Sequence, residues 1–337
     1  MAITINGEQK RIGLALSGGG FRAAAFHLGV FSKLQEFGLL NKIDLFSCVS
    51  GGSIAGGFLA VNWGASDALD KLKEYIGTKS IAVSTFIGGL LDPFVSRIDK
   101  LADSYDDHIF KKKKLRDLGG GPRIYFNATN LATGNLFFFV AGGDLPEEMG
   151  EHELGTAVVP DFRISNAVAA SSAFPPVFPP LRINPDVFPP AQTVEYVTLT
   201  DGGVYDNMGV NPLLLERNNL DYAIVSDGGK PFEIDENPTE SGLIVLKESI
   251  NVLMEQVRGL EFDRLKHRNK AGSGPKPLWF SIDSTKGESQ EGDAAFASAI
   301  STNLKKLSHP EISVLMRHGG SLIEARIREY APELLGH

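Results

Sequence analysis

The chain has 337 residues, with 33 Lys and Arg against 41 Asp and Glu, a formal net charge of -8 and 42% hydrophobic residues. This composition predicts a soluble globular protein of one or two domains, since a domain has roughly 150 residues. The acidic balance argues against a general nucleic-acid binder, which needs clustered Lys and Arg. The single cysteine, Cys48, excludes an internal disulfide and a Cys-based zinc cluster.

Neither a secretory signal nor a membrane-spanning segment is predicted. Residues 1–11 are polar and have no apolar stretch before a cleavage site, so we expect a cytoplasmic chain without a leader. The most apolar windows, Ile54–Val61 and Ile81–Leu91, are interrupted by Asn62 and Asp92, well short of the ~18 residues that a membrane span needs. We therefore expect no segment of the chain to cross a bilayer.

Two strand–turn–helix units are predicted near the start of the chain. Ile12–Leu16 is an apolar strand, followed by a Gly-rich turn and a helix over Phe21–Phe37 with apolar residues at every third or fourth position. Ile43–Val49 is a second strand, and Ser50–Ser53 forms the turn into a helix over Ile54–Trp63. Two such units predict a parallel sheet with crossover helices.

Later strands and loops extend this α/β pattern. The strands are predicted at Arg123–Ala128, Leu136–Val140, Val197–Thr200 and Tyr222–Ser226. Polar or Pro-rich stretches between them are interpreted as loops within one domain, because candidate site residues fall on both sides of the first two stretches. These stretches are Gly142–Gly155, Ile183–Gln192, Lys230–Ser241 and Ser284–Asp293.

Ser53 is the strongest candidate for a nucleophile. It lies in Gly51-Gly52-Ser53-Ile54-Ala55, between a strand and a helix. In the GxSxG pattern, small residues two places either side of the serine allow the sharp, strained turn that lifts the hydroxyl clear of the sheet. Ala55 replaces the second glycine here, and a simple Gly-rich turn is the alternative. Ser50 is the rival serine, but Cys48 stands where that pattern requires a glycine.

The turn Gly18-Gly19-Gly20-Phe21-Arg22 opens the first helix, so its backbone N–H groups lack intrahelical partners. In an acyl-transfer enzyme such groups stabilise the oxyanion that forms when a serine attacks an ester carbonyl, by ~3 kcal/mol per donor. The turn lacks the Gly-Lys-Ser/Thr ending of a P-loop and the GxGxxG spacing of a dinucleotide site, so nucleotide binding is the weaker alternative. We expect Arg22 to pair with an acidic neighbour, with a lipid phosphate as the alternative.

A serine nucleophile needs a general base, and Asp201 is the candidate. It ends a predicted strand, and sites in open α/β sheets gather at the carboxyl ends of strands. Asp227 has the same Asp-Gly-Gly form, but only Asp201 is followed by a dense polar turn, Gly203–Pro212. We expect Asp227 to be a turn aspartate that bonds its own backbone. A triad through His267 or His309 is the alternative, although neither histidine has motif context.

Together these motifs resemble the patatin-like phospholipase family. The chain has Ser17-Gly18-Gly19-Gly20-Phe21-Arg22, Gly51-Gly52-Ser53-Ile54-Ala55 and Asp201-Gly202-Gly203 in the order found in that family. It also has Ala170–Pro180, which is similar to the family's Ala-Ser-Ser-Ala and Phe-Pro-Pro segment. The resemblance covers residues 11–229 and implies a three-layer α/β/α fold with a mostly parallel central sheet.

The resemblance also implies lipid acyl hydrolysis by a Ser-Asp dyad without a histidine, and we expect no cofactor and no metal. Ser53 would be the nucleophile, Asp201 the general base and Gly18–Gly20 the oxyanion loop, with Arg22 supporting that loop. A partly desolvated aspartate can accept the serine proton and return it to the leaving alcohol, before water cleaves the acyl-enzyme. A single domain over residues 1–337 is expected, with motifs confined to its first two thirds.

The expected substrate is a phospholipid or lysophospholipid. A short-chain esterase or acylglycerol lipase with the same dyad is the near alternative, and a non-catalytic Gly-rich phosphate- or nucleotide-binding protein is the distant one. Lys111–Lys114 would attract anionic head groups in a peripheral membrane contact by ~1 kcal/mol per charge, although a solvated turn is the simpler interpretation. Phe137–Phe139 and Phe174–Phe178 are candidates for an acyl pocket, with core packing as the alternative.

Overall fold

The computed structural model describes residues 3–81, 97–175, 177–189, 194–229, 231–232 and 241–336. The apolar window predicted at Ile81–Leu91 and the loop predicted at Lys230–Ser241 lie almost entirely outside the described residues. Among the residues that are described, no helix is both long and apolar enough to cross a membrane.

Strands and helices alternate along much of the chain. The strands are β1 (Ile3–Ile5), β2 (Glu8–Lys10), β3 (Ile12–Leu16), β4 (Ile43–Cys48), β5 (Arg123–Asn130), β6 (Leu136–Ala141), β7 (Glu148–Glu151), β8 (Gly155–Val158), β9 (Leu181–Ile183), β10 (Val197–Asp201), β11 (Tyr222–Asp227) and β12 (Lys276–Ser281). The α-helices are α1 (Gly20–Glu36), α2 (Gly51–Val61), α3 (Ala68–Thr78), α4 (Arg97–Tyr105), α5 (Ile164–Ser171), α6 (Gly203–Asp206), α7 (Gly242–Lys270), α8 (Asp293–Ala299) and α9 (His309–Tyr330).

One large sheet has the strand order β12-β11-β3-β4-β5-β6-β7-β8. The pairs from β12 to β5 are parallel, and the pairs from β5 to β8 are antiparallel. Beyond the end of β4, β10 pairs antiparallel with β5 and also with β9. The predicted parallel core is confirmed. The loop predicted at Gly142–Gly155 is wrong in part, because it contains β7, a short strand whose sequence shows no alternating apolar pattern.

Apolar side chains cover both faces of this sheet. Neighbouring residues of β3 point to opposite faces, as the period of a strand requires. Leu14 belongs to the core shared with α1, α2, α3, α5 and α9. Ala15 belongs to a second core, which also contains Leu265 of α7 together with Met208, Val210, Leu213 and Leu214. Helices therefore lie on both sides of the sheet, and the expected three-layer α/β/α fold is confirmed.

The first helix has the predicted limits to within one residue. Its apolar stripe includes Phe26, Val30 and Leu34, all of them buried. The helix stops at Gly38, which has a φ of 70° and donates its N–H to the carbonyl oxygen of Gln35 at 3.0 Å. A glycine just past the last turn can adopt this left-handed conformation without strain.

The part of the chain after residue 229 adds to the same layers. β12 pairs in parallel with β11 over six residues, and α9 packs along α1. α9 begins with a capping box in which Ser308 and Glu311 satisfy each other's backbone N–H groups. We therefore propose that residues 1–337 form a single domain, in which residues 230–337 supply an edge strand and an outer helix.

Helices α1 and α9 approach so closely at Gly29 that a methyl group there would overlap the carbonyl oxygen of Met316. We expect Gly29→Ala to lower the free energy of unfolding by about 1–3 kcal/mol, as overpacking does in other cores. Gly259→Ala in α7 is the matched control, since nothing lies within 4 Å of the added methyl and alanine should stabilise that helix by about 0.5–1 kcal/mol. Denaturant unfolding measures both variants, and effects of the same sign would contradict this packing.

Candidate active site

The chain turns sharply at Ser50, between β4 and α2. The backbone of Ser50 has φ 49° and ψ −112°, a combination that residues other than glycine rarely adopt. This is the strained turn that a nucleophile elbow requires. We predicted the turn at Ser53, but Ser53 lies in the first turn of α2.

The Ser53 side chain is fully buried, and its hydroxyl pairs with the Oγ of Ser171 at 2.8 Å. Ser171 Oγ also accepts the N–H of Ser50 at 3.1 Å. Among the described residues, no hydrogen bond joins Ser53 to Asp201. Ser50, in contrast, is only partly buried. Ser53 thus supports the turn from inside, whereas Ser50 carries the hydroxyl that the turn presents.

The glycine that this turn requires lies after Ser50 and not before it. A Cβ on Gly52 would overlap the carbonyl oxygen of Leu16. Two residues before Ser50, Cys48 fits because Gly56 of α2 leaves room for its side chain: a Cβ on Gly56 would lie 2.5 Å from the Cys48 Sγ. Gly52 was therefore the sequence signal that favoured Ser50 as the residue at the turn. Cys48 argued against Ser50, because it stands at the first glycine position of the GxSxG pattern.

The carboxylate of Asp201 lies buried at the end of β10, beside Ser50. Its Oδ1 accepts the N–H of Gly203 at 2.7 Å, whereas its Oδ2 has no hydrogen-bond partner among the described residues. Burial raises the pKa of Asp201 to about 7, and the contacts with Gly203 and the nearby Ser50 hydroxyl lower it only in part. The Ser50 hydroxyl is therefore close to this carboxylate, although no well-aligned hydrogen bond joins the two among the described residues, as is common before a substrate binds.

Asp227 lies in the same kind of turn but has a different environment. Its Oδ1 accepts the N–H of Gly229 at 3.1 Å, so the prediction that Asp227 bonds its own backbone is confirmed. Its Oδ2 pairs with the Nε of Arg258 at 2.6 Å. The Oδ2 of Asp227 is thus held in an ion pair, whereas the Oδ2 of Asp201 has no partner among the described residues.

The Gly-rich turn after β3 touches the turn at Ser50. A Cβ on Gly18 would lie 3.3 Å from the Ser50 Cβ, and a Cβ on Gly51 would overlap the carbonyl oxygen of Gly20. The N–H of Gly18 donates to the carbonyl oxygen of Asn207 at 3.0 Å. This bond removes Gly18 from the three N–H donors that we predicted for an oxyanion.

Three backbone N–H groups next to Ser50 have no hydrogen-bond partner within the described parts of the chain: those of Gly19, Gly20 and Gly51. Gly20 and Gly51 begin α1 and α2, so the positive ends of two helix dipoles meet here. Gly51 also follows Ser50 directly, where the elbow of a serine hydrolase has an oxyanion donor. Gly19 and Gly20 have φ values of 138° and 61°, which side chains rarely tolerate.

The segment Ala170–Ala173 joins the turn at Ser50 to the turn at Asp201. Ser171 Oγ accepts the Ser50 N–H, and two residues later the carbonyl oxygen of Ala173 accepts the Asp201 N–H at 3.2 Å. A short segment at the end of α5 therefore fixes the distance between the two turns. All four side chains are buried, and their small size suits this closely packed position.

Arg22 supports the Gly-rich turn through hydrogen bonds to backbone carbonyl groups. Its guanidinium is fully buried and donates to the carbonyl oxygens of Ile300 at 3.0 Å and Gly228 at 3.1 Å. The described partners of this side chain are backbone carbonyls, and its pairing with an acidic neighbour stays a prediction. Its burial also removes the alternative of a lipid phosphate.

None of the described histidines contacts Ser50 or Asp201. His27 is buried, and its Nε2 donates to the carbonyl oxygen of Ser17 at 3.0 Å while its Nδ1 accepts from the Ser226 hydroxyl at 2.8 Å. Burial lowers the pKa of His27 to about 4, so the ring is neutral at pH 7. The exposed histidines are His108, His152, His267 and His309. Within the described residues, no three His, Cys, Asp or Glu side chains gather as a metal site would require.

The features that suggested lipid contact in the sequence have other roles. In the run Lys111–Lys114, Lys113 donates to a backbone carbonyl at the end of α2, and Lys114 pairs with Asp161 at 2.7 Å. Phe137–Phe139 are buried in the two cores. The structure therefore favours a turn and core packing over a head-group patch and an acyl pocket at these positions.

Comparisons with known proteins identify similar chains. A family model described as patatin-like phospholipase matches residues 14–214, more than half of the chain. Uncharacterized NTE family proteins of Mycobacterium bovis and Mycobacterium tuberculosis are 27% identical over 209 residues, which make up 60% of this chain and 28% of those proteins. The chain thus spans less than a third of the length of these relatives.

Solved structures of a human enzyme have a similar fold. Human GIVD cytosolic phospholipase A2 superposes with a TM-score of 0.63 at 13% identity, covering 96% of this chain and 62% of that one. The same enzyme in complex with the inhibitor methyl gamma-linolenyl fluorophosphonate and terbium chloride superposes with a TM-score of 0.59 at 14% identity, covering 96% and 59%. At such low identity the similarity concerns the fold alone.

The raised pKa of Asp201 predicts an effect of pH on stability. Between the ordinary pKa of 3.8 and the folded pKa of about 7, the folded chain binds the proton more tightly, so stability falls as pH rises through this range. Asp201→Asn keeps the acceptor for Gly203 and removes the charge. We expect it to raise the free energy of unfolding by up to about 4 kcal/mol at pH 8, with a smaller gain at pH 5.

Asp227→Asn is the matched control in the second Asp-Gly-Gly turn. It breaks the ion pair with Arg258 and leaves that partly buried cation without its carboxylate, so it should destabilise the fold at both pH values. Denaturant unfolding of the two variants measures the difference. An Asp201→Asn variant less stable than the wild type at pH 8 would contradict an unpaired, desolvated carboxylate.

Proposed function

Because the chain belongs to the patatin-like phospholipase family, we propose that it is a lipid acyl hydrolase that cleaves carboxylic ester bonds through an acyl-enzyme. The observation that carries this proposal is the strained turn at Ser50 next to a buried Asp201 with a raised pKa. The substrate that we propose is a phospholipid or a lysophospholipid.

We assign the nucleophile to Ser50 in place of Ser53, and the general base to Asp201. Ser50 Oγ attacks the ester carbonyl carbon while its proton passes to Oδ2 of Asp201, the oxygen without a partner among the described residues. Asp201 then returns the proton to the leaving alcohol. In the second half of the reaction Asp201 takes a proton from water, whose oxygen attacks the acyl carbon on Ser50. Asp201 then returns that proton to Ser50 Oγ as the bond to the acyl carbon breaks and the fatty acid leaves.

The environment of this dyad suits both steps. A carboxylate whose pKa is about 7 and not 3.8 accepts a proton more readily by about 4 kcal/mol. The negative charge that develops on the carbonyl oxygen would face the N–H groups of Gly19, Gly20 and Gly51, and each well-placed donor contributes roughly 3 kcal/mol. We propose these three donors in place of Gly18–Gly20.

A short-chain esterase or acylglycerol lipase would use the same dyad and differs only in its substrate. The phosphate- or nucleotide-binding alternative has less support, since the N–H groups of Gly18 and Phe21 already donate to the carbonyl oxygens of Asn207 and Asn303. Mass spectrometry of the products released from a mixed lipid extract would separate these functions. Free fatty acid together with lysophospholipid supports our proposal, whereas release from acylglycerols alone supports the lipase.

Ser50→Ala should abolish ester hydrolysis, while Ser53→Ala should not. We expect Ser50→Ala to lower kcat/KM for a chromogenic acyl ester by at least about 1000-fold, because it removes the attacking atom. Ser53→Ala loses one buried hydrogen bond to Ser171 and should stay within about tenfold of the wild type.

Labelling with an alkyl fluorophosphonate gives an independent reading of the same pair. Peptide mapping should find the adduct on Ser50 in the wild type and in Ser53→Ala, and no adduct in Ser50→Ala. An adduct on Ser53, or a loss of activity confined to Ser53→Ala, would return the nucleophile to Ser53. Full activity in both variants would refute the serine mechanism.

The activity should rise with pH through a single apparent pKa of about 7, because the base acts in its ionised form and burial raises the pKa of Asp201 to that value. A plot of kcat/KM against pH measures this. Asp201→Asn should lose most of the turnover, and single replacements of His267 and His309 by Gln should leave the pH profile in place. Collapse of activity in either histidine variant would favour a triad instead.

A further inference from the structure

A row of apolar side chains lies exposed on α7. Its members are Val245, Leu246, Val252, Leu253 and Leu260, hereafter the α7 stripe. Leu253 is 65% exposed and Leu260 68%. Single exposed apolar residues are normal on a protein surface, but a contiguous group on one helix calls for an explanation.

The α7 stripe is continuous and carries no charge. Successive helix residues are about 100° apart around the axis, which places the five side chains within about 120° of one another. Ser249 and Gln256 are the polar residues that project between them, while Glu248 and Glu255 project from the border of this face. Among the described side chains from 245 to 260, no charged residue projects within the stripe itself.

The opposite face of α7 covers the candidate active site. The methyl of Met254 lies 3.1 Å from the position that a Cβ on Gly203 would take, next to the Asp201 carboxylate. One turn later, Arg258 pairs with Asp227. The α7 stripe is therefore about 10 Å from the Asp201 turn, the diameter of a helix.

We propose that the α7 stripe docks the enzyme onto the surface of a zwitterionic or neutral lipid aggregate, with the site beside the lipid–water interface. This inference rests on the lipid hydrolase function proposed above and adds the surface that would meet the substrate. Burial of the apolar side chains drives the contact, as for helices that lie in the plane of a membrane interface. The net charge of -8 and the bordering glutamates disfavour a strongly anionic surface.

A second copy of the chain is the competing occupant of this face. Leu246, Leu253 and Leu260 recur every seven residues, as the d positions of a coiled coil do. A two-helix seam, however, buries only a narrow stripe, and in that register Val245 and Val252 would stay exposed. A flat apolar surface covers all five side chains, so the width of the stripe favours lipid.

Binding to phosphatidylcholine vesicles tests the proposal, measured by flotation with Ser50→Ala as the background so that no lipid is hydrolysed. Leu253→Gln combined with Leu260→Gln should weaken vesicle binding by at least about tenfold, because two exposed leucines no longer bury apolar surface. Leu131→Gln combined with Leu145→Gln is the matched control. It removes two leucines of similar exposure, 55% and 60%, away from α7, and should change the affinity by less than about twofold.

Salt and oligomeric state separate the remaining possibilities. Affinity should be similar at about 0.05 and 0.5 M salt, since screening affects charges and not apolar burial. Equal losses in both double variants, or binding that needs anionic lipid and disappears in high salt, would overturn the proposal. So would a dimer that the α7 variant converts to a monomer without a change in vesicle affinity.

The experiments can refute the docking surface and the hydrolase function independently of each other. Vesicle binding is measured without turnover, so an inactive wild type that still binds vesicles through the α7 stripe would refute the hydrolase function alone. An active enzyme whose α7 double variant binds vesicles normally would refute the docking surface alone. Thermal melting of each double variant checks that the fold is retained.

Discussion

The buried carboxylate of Asp201, with one oxygen unpaired among the described residues, is the constraint on which the rest of the site depends. An unpaired charge in an apolar site costs several kcal/mol, roughly the largest penalty that a single side chain can impose. The fold holds it in place through the backbone, since Thr129 donates to the Asp201 carbonyl at 2.8 Å and Ala173 accepts its N–H. Burial of this carboxylate disfavours its ionised form, which lowers stability at neutral pH and raises the pKa of Asp201. A carboxylate with a raised pKa is a stronger base.

The strained turn at Ser50 is held in the same way, by neighbours that leave it no alternative. A strained residue of this kind costs about 1–3 kcal/mol and persists only where the surroundings fix it. Here the Ser50 N–H is tied to Ser171, and Gly52 packs against the backbone of Leu16. The Gly-rich turn and the turn at Ser50 are thus in backbone contact, which brings the N-termini of α1 and α2 together around one hydroxyl.

The fold around this point could be predicted from the sequence because its signals are local. The period of β3, the glycines after it and the apolar stripe of α1 are all read within 27 residues, from Ile12 to Gly38. The choice between Ser50 and Ser53 depends instead on Gly56, which makes room for Cys48 from another element. The loss of Gly18 as a donor depends on Asn207, far away in the sequence. Such contacts exist only once the chain is folded.

The two Asp-Gly-Gly turns, at Asp201 and Asp227, also differ only through contacts with a distant part of the chain. Each aspartate accepts the N–H of the residue two places on, so their local sequences and local bonds do not distinguish them. What distinguishes them is α7, which brings Met254 to the first turn and Arg258 to the second. Residues four apart lie on one face of a helix, so the register of α7 decides that one carboxylate meets a methyl group and the other a cation. A shift of that register by four residues would bring Arg258 to Asp201 and take it away from Asp227, so the helix that carries the exposed stripe also determines which aspartate keeps an unpaired carboxylate oxygen.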